Sequence, residues 1–69
     1  MRIVYTIHAR ERMVERGIKE EDVELILSNP DSVGEGRNGA LIATRRISGR
    51  MVKIIYNLKD NITIIITVC

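Results

Sequence analysis

The sequence predicts a single α+β domain in which two N-terminal helices pack on one face of an antiparallel meander of three to four strands. Three observations support this fold class. The chain has 69 residues, which is room for one core only. Its first part carries apolar residues at helical spacing, and its last part consists of Ile- and Val-rich runs separated by short polar turns. We therefore expect one domain spanning residues 1–69.

The first helix is predicted to begin after Thr6 and to end at Gly17. Threonine is a common helix N-cap, and glycine suits the left-handed backbone that often follows a helix. Between them, Ala9, Met13 and Val14 follow at spacings that form one narrow apolar stripe. This helix is therefore expected to bury only one edge.

The second helix is predicted to begin after Ile18 and to stop at Asn29-Pro30. Ile18 and Val23 have the spacing of a hydrophobic staple, and the acidic residues between them favour the positive end of the helix dipole. Proline disfavours helical geometry in the residue before it, so Asn29 ends the helix. The predicted buried face consists of Val23, Ile26 and Leu27.

The rest of the chain is predicted to form strands. Residues Asp31 to Gly39 read as a glycine-rich loop with a short edge strand around Val33. Three strands follow: Ala40–Ile47, Met51–Leu58 and Ile62–Val68. The predicted hairpin turns between them are Ser48-Gly49-Arg50 and Lys59-Asp60-Asn61.

Strict alternation of side chains along the last two strands predicts which residues face the helices. The row expected to face them is Val52, Ile54, Tyr56, Leu58, Ile62, Ile64, Ile66 and Val68. The opposite row is Met51, Lys53, Ile55, Asn57, Thr63, Ile65, Thr67 and Cys69. This second row is too apolar for a surface in contact only with solvent. It predicts a homodimer in which Met51, Ile55 and Ile65 form a contact between two sheets.

The charges favour a surface that binds phosphate. Eleven Lys and Arg against nine Asp and Glu give a net charge of only +2, yet residues 37–53 contain cations and no acid. The predicted RNA-binding residues in this segment are Arg45, Arg46, Arg50 and Lys53. Arg45 and Arg46 are adjacent on one strand, so only one of them can belong to the exposed surface. A solvated or acid-paired surface is the alternative interpretation.

The first helix carries a candidate catalytic set, His8, Arg12 and Arg16, which recurs every four residues along one edge. Histidine is suited to proton transfer near neutral pH, and a guanidinium can hold phosphate. Two alternatives remain open. The edge is a solvated flank in which Arg12 pairs with Glu11 or Glu15, or His8 has a structural role at the start of the sheet.

Other classes of site are excluded by the residue types present. Cys69 is the only cysteine and His8 the only histidine, so neither an internal disulfide nor a cysteine/histidine zinc site can form. Gly34, Gly36 and Gly39 are not followed by a predicted helix, which argues against a phosphate cradle. We expect no cofactor and no metal. No apolar run approaches the about 18 residues of a membrane span, and the N-terminus lacks signal-peptide features, so we expect a cytoplasmic protein without membrane contact.

Several segments resemble a prokaryotic family of domains of unknown function. His8 to Ile18 matches the pattern H-A-x-x-R-M-x-x-R-G-I, Asn29-Pro30 matches the N-P after the second helix, and Ile66-Thr67-Val68 matches a closing I-T-V strand. Gly49-Arg50 and Val52 to Tyr56 also agree. The family is similar to RelE- and BrnT-like toxins, in which helices pack on one face of an antiparallel sheet.

That resemblance implies a metal-independent ribonuclease, with a base that activates the ribose 2′-hydroxyl and cations that stabilise the phosphorane. It also implies an antitoxin-like protein partner. The residues that would take these roles by position are His8, Arg12, Arg16, Arg50 and Lys53. The sequence thus leaves three hypotheses: a toxin-like RNA endonuclease, a non-catalytic RNA- or protein-binding module, and a dimerisation domain.

Overall fold

The computed structural model describes residues 2–69, which form two helices on one side of a five-stranded sheet. In chain order the elements are β1 (Arg2–Tyr5), α1 (Ile7–Arg16), α2 (Glu20–Ser28), β2 (Ser32–Glu35), a 3-10 turn (Arg37–Gly39), β3 (Leu41–Ile47), β4 (Arg50–Lys59) and β5 (Ile62–Val68). The strand order across the sheet is β1-β5-β4-β3-β2. The α+β class and the two N-terminal helices are therefore confirmed.

The sheet differs from the predicted antiparallel meander at its N-terminal edge. β1 pairs in parallel with β5, which makes the sheet mixed and five-stranded, while the other three pairings are antiparallel. A segment of four residues gives too short a pattern to predict a strand, and β1 forms because β5 has a free side to pair with. Thr6 continues this pairing through its backbone N–H, which donates to the carbonyl of Ile65 at 3.2 Å. The short edge strand predicted around Val33 is confirmed as β2.

The helix ends follow the predicted local chemistry. The Thr6 hydroxyl accepts a hydrogen bond from the backbone N–H of Ala9 at 3.0 Å, and Gly17 has a left-handed φ of 67°. At the start of α2, the backbone N–H of Lys19 donates to Asp22 at 2.9 Å. Asn29 is the C-terminal cap of α2, as the following proline predicts. Within residues 2–69, neither helix combines the length and the apolar character needed to cross a membrane.

The core lies between the helices and the face of the sheet that they cover, which we call the inner face. The helices and the connection between them contribute Ala9, Met13, Ile18, Val23 and Ile26, and the strands contribute Ala43, Val52, Ile54, Tyr56, Ile65 and Val68. The prediction for Val52, Ile54, Tyr56 and Val68 is therefore confirmed. Leu58 also lies in register with the inner face, opposite Thr63, but it is 62% exposed.

A β-bulge in β5 reverses the predicted faces of Ile62 to Ile66, whereas Thr67 and Val68 keep theirs. Tyr56 lies opposite Ile65 and Ile55 lies opposite Thr67, so Ile66 is an extra residue without a partner on β4. Because one extra residue shifts the alternation, Thr63 and Ile65 point into the core and are 1% and 0% exposed. The predicted inner positions of Ile62, Ile64 and Ile66 and the predicted outer positions of Thr63 and Ile65 are wrong.

Candidate functional site

The face of the sheet opposite the helices, which we call the outer face, carries a strip of aliphatic side chains. Six of its members follow from the strand register: Val4, Ile42, Met51, Ile55, Ile62 and Ile64. The seventh is Ile66, the extra residue of the bulge, which lines the same groove as Ile42 and Ile55. Val4 and Met51 are 40% and 47% exposed, and the isoleucines are half-buried. The two helices, whose buried residues all join the inner core, leave this aliphatic strip uncovered in the chain from residue 2 to residue 69.

The 3-10 turn gives the outer face a shallow groove of about 490 Å³. Residues Gly36, Arg37 and Asn38 form one wall, and Ile42, Ile55 and Ile66 belong to the part of the aliphatic strip that lines it. Gly36 lies so close to Ile42 that an added Cβ would be 3.3 Å from the isoleucine Cδ1 atom. Gly36 therefore packs directly on Ile42, and the turn that follows it borders the aliphatic strip.

Cations border the aliphatic strip, and no strand residue of the outer face is acidic. The outer cations are Arg2, Arg46, Lys53 and Lys59, all exposed. The acidic residues lie elsewhere: Glu11 and Glu15 on α1; Glu20, Glu21, Asp22 and Glu24 on α2; Asp31, Glu35 and Asp60 in loops or on the edge strand β2. Cations thus lie on both sides of the sheet, whereas no acidic residue of the strands between residues 2 and 69 points to the outer face, although the net charge of the chain is only +2.

The predicted RNA-binding residues do not form one surface. Arg45 is on the inner face, where its guanidinium donates to the carbonyl of Asn29 at 2.7 Å and lies 3.8 Å from the Asp31 carboxylate. Arg46 points to the outer face and donates to the carbonyl of Gly49 at 3.2 Å. The prediction that these two neighbours separate is confirmed. Arg45 joins the end of α2 to β3, whereas Arg46 and Lys53 remain on the outer face.

The predicted catalytic residues lie on the outward flank of α1. His8 and Arg16 are exposed and Arg12 is half-buried. The Arg50 guanidinium donates to the backbone carbonyl of Arg16, the last residue of α1, so Arg16 and Arg50 are neighbours. His8 is two helical turns from Arg16, about 12 Å along the axis. Lys53 is on the opposite side of the sheet, so the structure does not bring it together with His8.

Arg12 takes part in neither of the two ion pairs found among residues 2–69. Those pairs are Arg10 with Glu20 and Arg45 with Asp31. The predicted pairing of Arg12 with Glu11 or Glu15 is therefore not present. On this flank, Arg12 and Arg16 have no ion-pair partner among residues 2–69.

A second concave surface, not foreseen from the sequence, lies between β1 and α2. This cleft has a volume of about 620 Å³ and is lined by Ile3, Tyr5, Glu20, Glu21, Glu24, Leu25 and Ser28. The hydroxyl of Tyr5 is buried without a hydrogen-bond partner, and the Arg10 guanidinium lies 4.3 Å from its ring centre. Burial, with the negative charges of Glu20 and Glu24, raises the pKa of Tyr5, and Arg10 opposes this. In the sequence, the run of acidic residues on α2 was the feature that pointed to this surface. The cleft itself depends on the position of β1 beside α2, and β1 was not predicted.

The predicted interface residues are divided by the bulge. Met51 and Ile55 lie on the outer face as expected, whereas Ile65 is 0% exposed in the core and is unavailable to a partner. Three isoleucines that the alternation placed in the core, Ile62, Ile64 and Ile66, take its place on the outer face. The outer face is consequently more apolar than predicted.

Comparison with known proteins gives a family and no activity. The sequence profile of a family described as domain of unknown function (DUF4258) matches residues 5–69, which is nearly the whole chain. No significant match was found among curated proteins. None was found among solved structures either. Functional inference therefore depends on the geometry described above.

Proposed function

The chain belongs to the DUF4258 family of domains of unknown function, and we propose that it is a non-catalytic binding module whose working surface is the outer face of the sheet. The observation that carries this proposal is the uncovered aliphatic strip with its four outer cations and no acid. Contiguous exposed apolar surface of this kind, rimmed by polar groups, is typical of interaction sites.

The composition of the outer face favours a protein partner over RNA. Single-stranded RNA is bound largely by stacking of bases on aromatic side chains. The only aromatic residues here are Tyr5 and Tyr56, and both lie in register with the inner face. An aliphatic centre with a charged rim is instead the usual anatomy of a protein–protein interface.

The separation of the candidate catalytic residues also favours binding over catalysis. A general acid or base has to lie within hydrogen-bond reach of the reacting group, together with the groups that stabilise the transition state. His8 and Arg12 are on α1, whereas Lys53 and the groove are on the other side of the sheet. One substrate molecule cannot contact both sets at a single reacting phosphate.

The test compares captured macromolecules between surface variants of the tagged protein. Val4→Asp and Met51→Asp place a charge on the aliphatic strip at positions that are already 40% and 47% exposed. Val14→Asp is the matched control, because Val14 is 84% exposed on α1. We expect the wild-type protein and Val14→Asp to retain the same protein or RNA from a lysate of the source cells, and the two strip variants to lose it.

Circular dichroism of each variant shows whether it is folded, so loss of binding can be separated from loss of structure. Equal capture by the strip variants and the control would mean that the outer face is not the working surface. Loss of capture only in Val14→Asp would move the working surface to the helix side.

A toxin-like, metal-independent RNA endonuclease is a second candidate function, favoured by the contact between Arg50 and the end of α1. That contact places Arg50 beside Arg16, and Arg12 precedes Arg16 by one helical turn, so three cations are available near one end of α1 for a phosphate group. In this proposal His8 takes the proton of the ribose 2′-hydroxyl, and the 2′-oxygen attacks phosphorus. The bond between phosphorus and the 5′-oxygen breaks, the 5′-oxygen leaves with a proton from water or from the protonated His8, and a 2′,3′-cyclic phosphate remains. The similarity to RelE- and BrnT-like toxins and an antitoxin-like partner belong to this second candidate.

Cleavage of a mixed pool of single-stranded RNA in EDTA tests the second candidate directly. Wild-type protein should generate cyclic phosphate ends, and His8→Ala and Arg12→Ala should reduce the rate by about 100-fold or more if their side chains take part. An unchanged rate in His8→Ala would remove its catalytic role. Absence of cleavage by folded wild-type protein would leave the binding module as the function.

A further inference from the structure

We propose that the occupant of the outer face is an acidic amphipathic helix of a partner protein. This inference rests on the proposed function, because it names the partner of the same surface. It follows from the hydrogen bonding of the sheet, from the length of the aliphatic strip and from the sign of the charges around it.

The hydrogen bonding of the sheet selects a helix over a strand. β3, β4 and β5 are each paired on both sides, so their backbone groups cannot bind an additional strand lying on the outer face. Across the middle of the outer face each strand has a neighbour on both sides, and free backbone groups are left along the edges β1 and β2 and at strand ends without a partner. A segment that lies across the face must satisfy its own backbone hydrogen bonds, and an α-helix does so internally.

The length of the aliphatic strip matches a short amphipathic helix. Ile62, Ile64 and Ile66 follow one another along β5 and cover about 13 Å at about 3.3 Å per residue. At 1.5 Å per residue, a helix covers the same distance in about nine residues. Apolar side chains at positions i, i+3, i+4 and i+7 would therefore contact all three isoleucines, and the groove beside Ile55 would receive the flank of the helix.

The charges around the aliphatic strip require an acidic partner. Lys59 and Arg2 lie beside Ile62 at one end of the strip, and Lys53 and Arg46 lie beside Met51 at the other. A second copy of this chain, docked by the same face, would bring only cations to cations. A partner helix with carboxylates on both sides of its apolar stripe complements both ends.

The test uses synthetic peptides as probes. The first is a helical peptide of about 14 residues, with leucines at four positions of one stripe and glutamates beside them; in the second, lysines replace the glutamates. Binding to the isotope-labelled protein is followed by backbone amide shifts, and affinity by fluorescence anisotropy at increasing salt. We expect the glutamate peptide to shift the amides of Ile62, Ile64 and Ile66, and the lysine peptide to bind at least about ten-fold more weakly.

Charge reversal on the protein provides the matched control. The double variant Lys53→Glu and Lys59→Glu should lower the affinity for the glutamate peptide by about ten-fold and raise the affinity for the lysine peptide. Lys19→Glu makes the same change of charge per site on the helix side, where Lys19 is exposed, and should leave both affinities nearly unchanged.

Other outcomes would overturn the inference in distinguishable ways. If single-stranded RNA shifts the amides of the outer face and the glutamate peptide does not, the outer face is still the working surface, but its ligand is RNA and not an acidic helix. A dimer in solution that Met51→Asp dissociates would identify a second copy as the occupant. Peptide-induced shifts confined to the cleft between β1 and α2 would contradict both this inference and the proposed function.

Discussion

The inner and outer faces of the sheet are built from similar residues and have different surroundings. Val52, Ile54 and Ile65 on the inner face are at most 2% exposed because the two helices cover them. Ile55, Ile62 and Ile64 on the outer face are only half-buried, since nothing in residues 2–69 covers them. Six of the nine carboxylates belong to the two helices, whereas the charged strand residues of the outer face are cations. A strand that is apolar on both sides, as β5 is, normally lies between two layers. Here one layer belongs to the chain, and the other is the proposed partner.

The largest expected effect is the difference in stability between a substitution on the inner face and one on the outer face. Ile65→Ala should lower the free energy of unfolding by about 3 kcal/mol, because it leaves a cavity in a core position that is 0% exposed. Ile64→Ala, one residue away on the half-buried outer face, should cost about 1 kcal/mol or less. Urea denaturation of both variants measures this difference. Equal losses would mean that the outer face is as tightly packed as the core, and the distinction between the faces would be lost.

Thr6 connects the bulge in β5 to the start of α1, and its substitution is expected to have the second largest effect on stability. The Thr6 hydroxyl donates to the carbonyl of Ile66 at 2.9 Å and accepts from the N–H of Ala9. Thr6→Ala removes a helix cap and a hydrogen bond, and should reduce the free energy of unfolding by about 2 kcal/mol. Thr6→Ser retains the hydroxyl and should remain near wild type. Hydrogen exchange of β5 amides should rise in Thr6→Ala alone; unchanged exchange would contradict the role of Thr6 at the bulge.

The adjacent arginines of β3 sharpen the comparison because one lies on each face. Arg45→Ala breaks the bond to the Asn29 carbonyl and should cost about 1 kcal/mol of stability without weakening the glutamate peptide. Arg46→Ala should change the free energy of unfolding by less than about 0.5 kcal/mol and should lower the affinity for the glutamate peptide. Thermal unfolding measures the stability of both variants, and fluorescence anisotropy on the same samples measures their affinity for the glutamate peptide. A lower affinity of Arg45→Ala for the glutamate peptide would mean that the Arg45 side chain belongs to the working surface.

The smallest expected effect is a pH dependence on the helix side. Because burial and nearby carboxylates raise the pKa of Tyr5 above its ordinary value of 10.0, the folded state binds the phenolic proton more tightly than the unfolded state. The resulting stabilisation is present below pH 10 and is lost as the pH rises through the raised pKa. Urea denaturation at pH 9 and pH 11 should show a larger loss for wild type than for Tyr5→Phe. Equal losses would remove Tyr5 as the group responsible.

Much of the local structure could be predicted because it depends on neighbouring residues. The ends of both helices, the two hairpin turns and the inner row of β4 follow from caps, from Gly17 and Pro30, and from alternation within one strand. The separation of Arg45 and Arg46 follows from the same alternation. The candidate site was predicted in part, since Met51, Ile55 and Lys53 do lie on the outer face. Ile65 does not, and three isoleucines of β5 were missed.

The sequence by itself determined the fold class, the order of two helices and three long strands, and the uneven distribution of charge, because these depend on residue type and short-range spacing. Only the tertiary structure decided the pairing of β1 with β5, the bulge at Ile66 and the cleft beside α2. Each of these depends on contacts between residues far apart in the chain, and a bulge has no residue pattern of its own here. One unpaired residue in β5 thus determines which isoleucines form the core and which lie on the outer face.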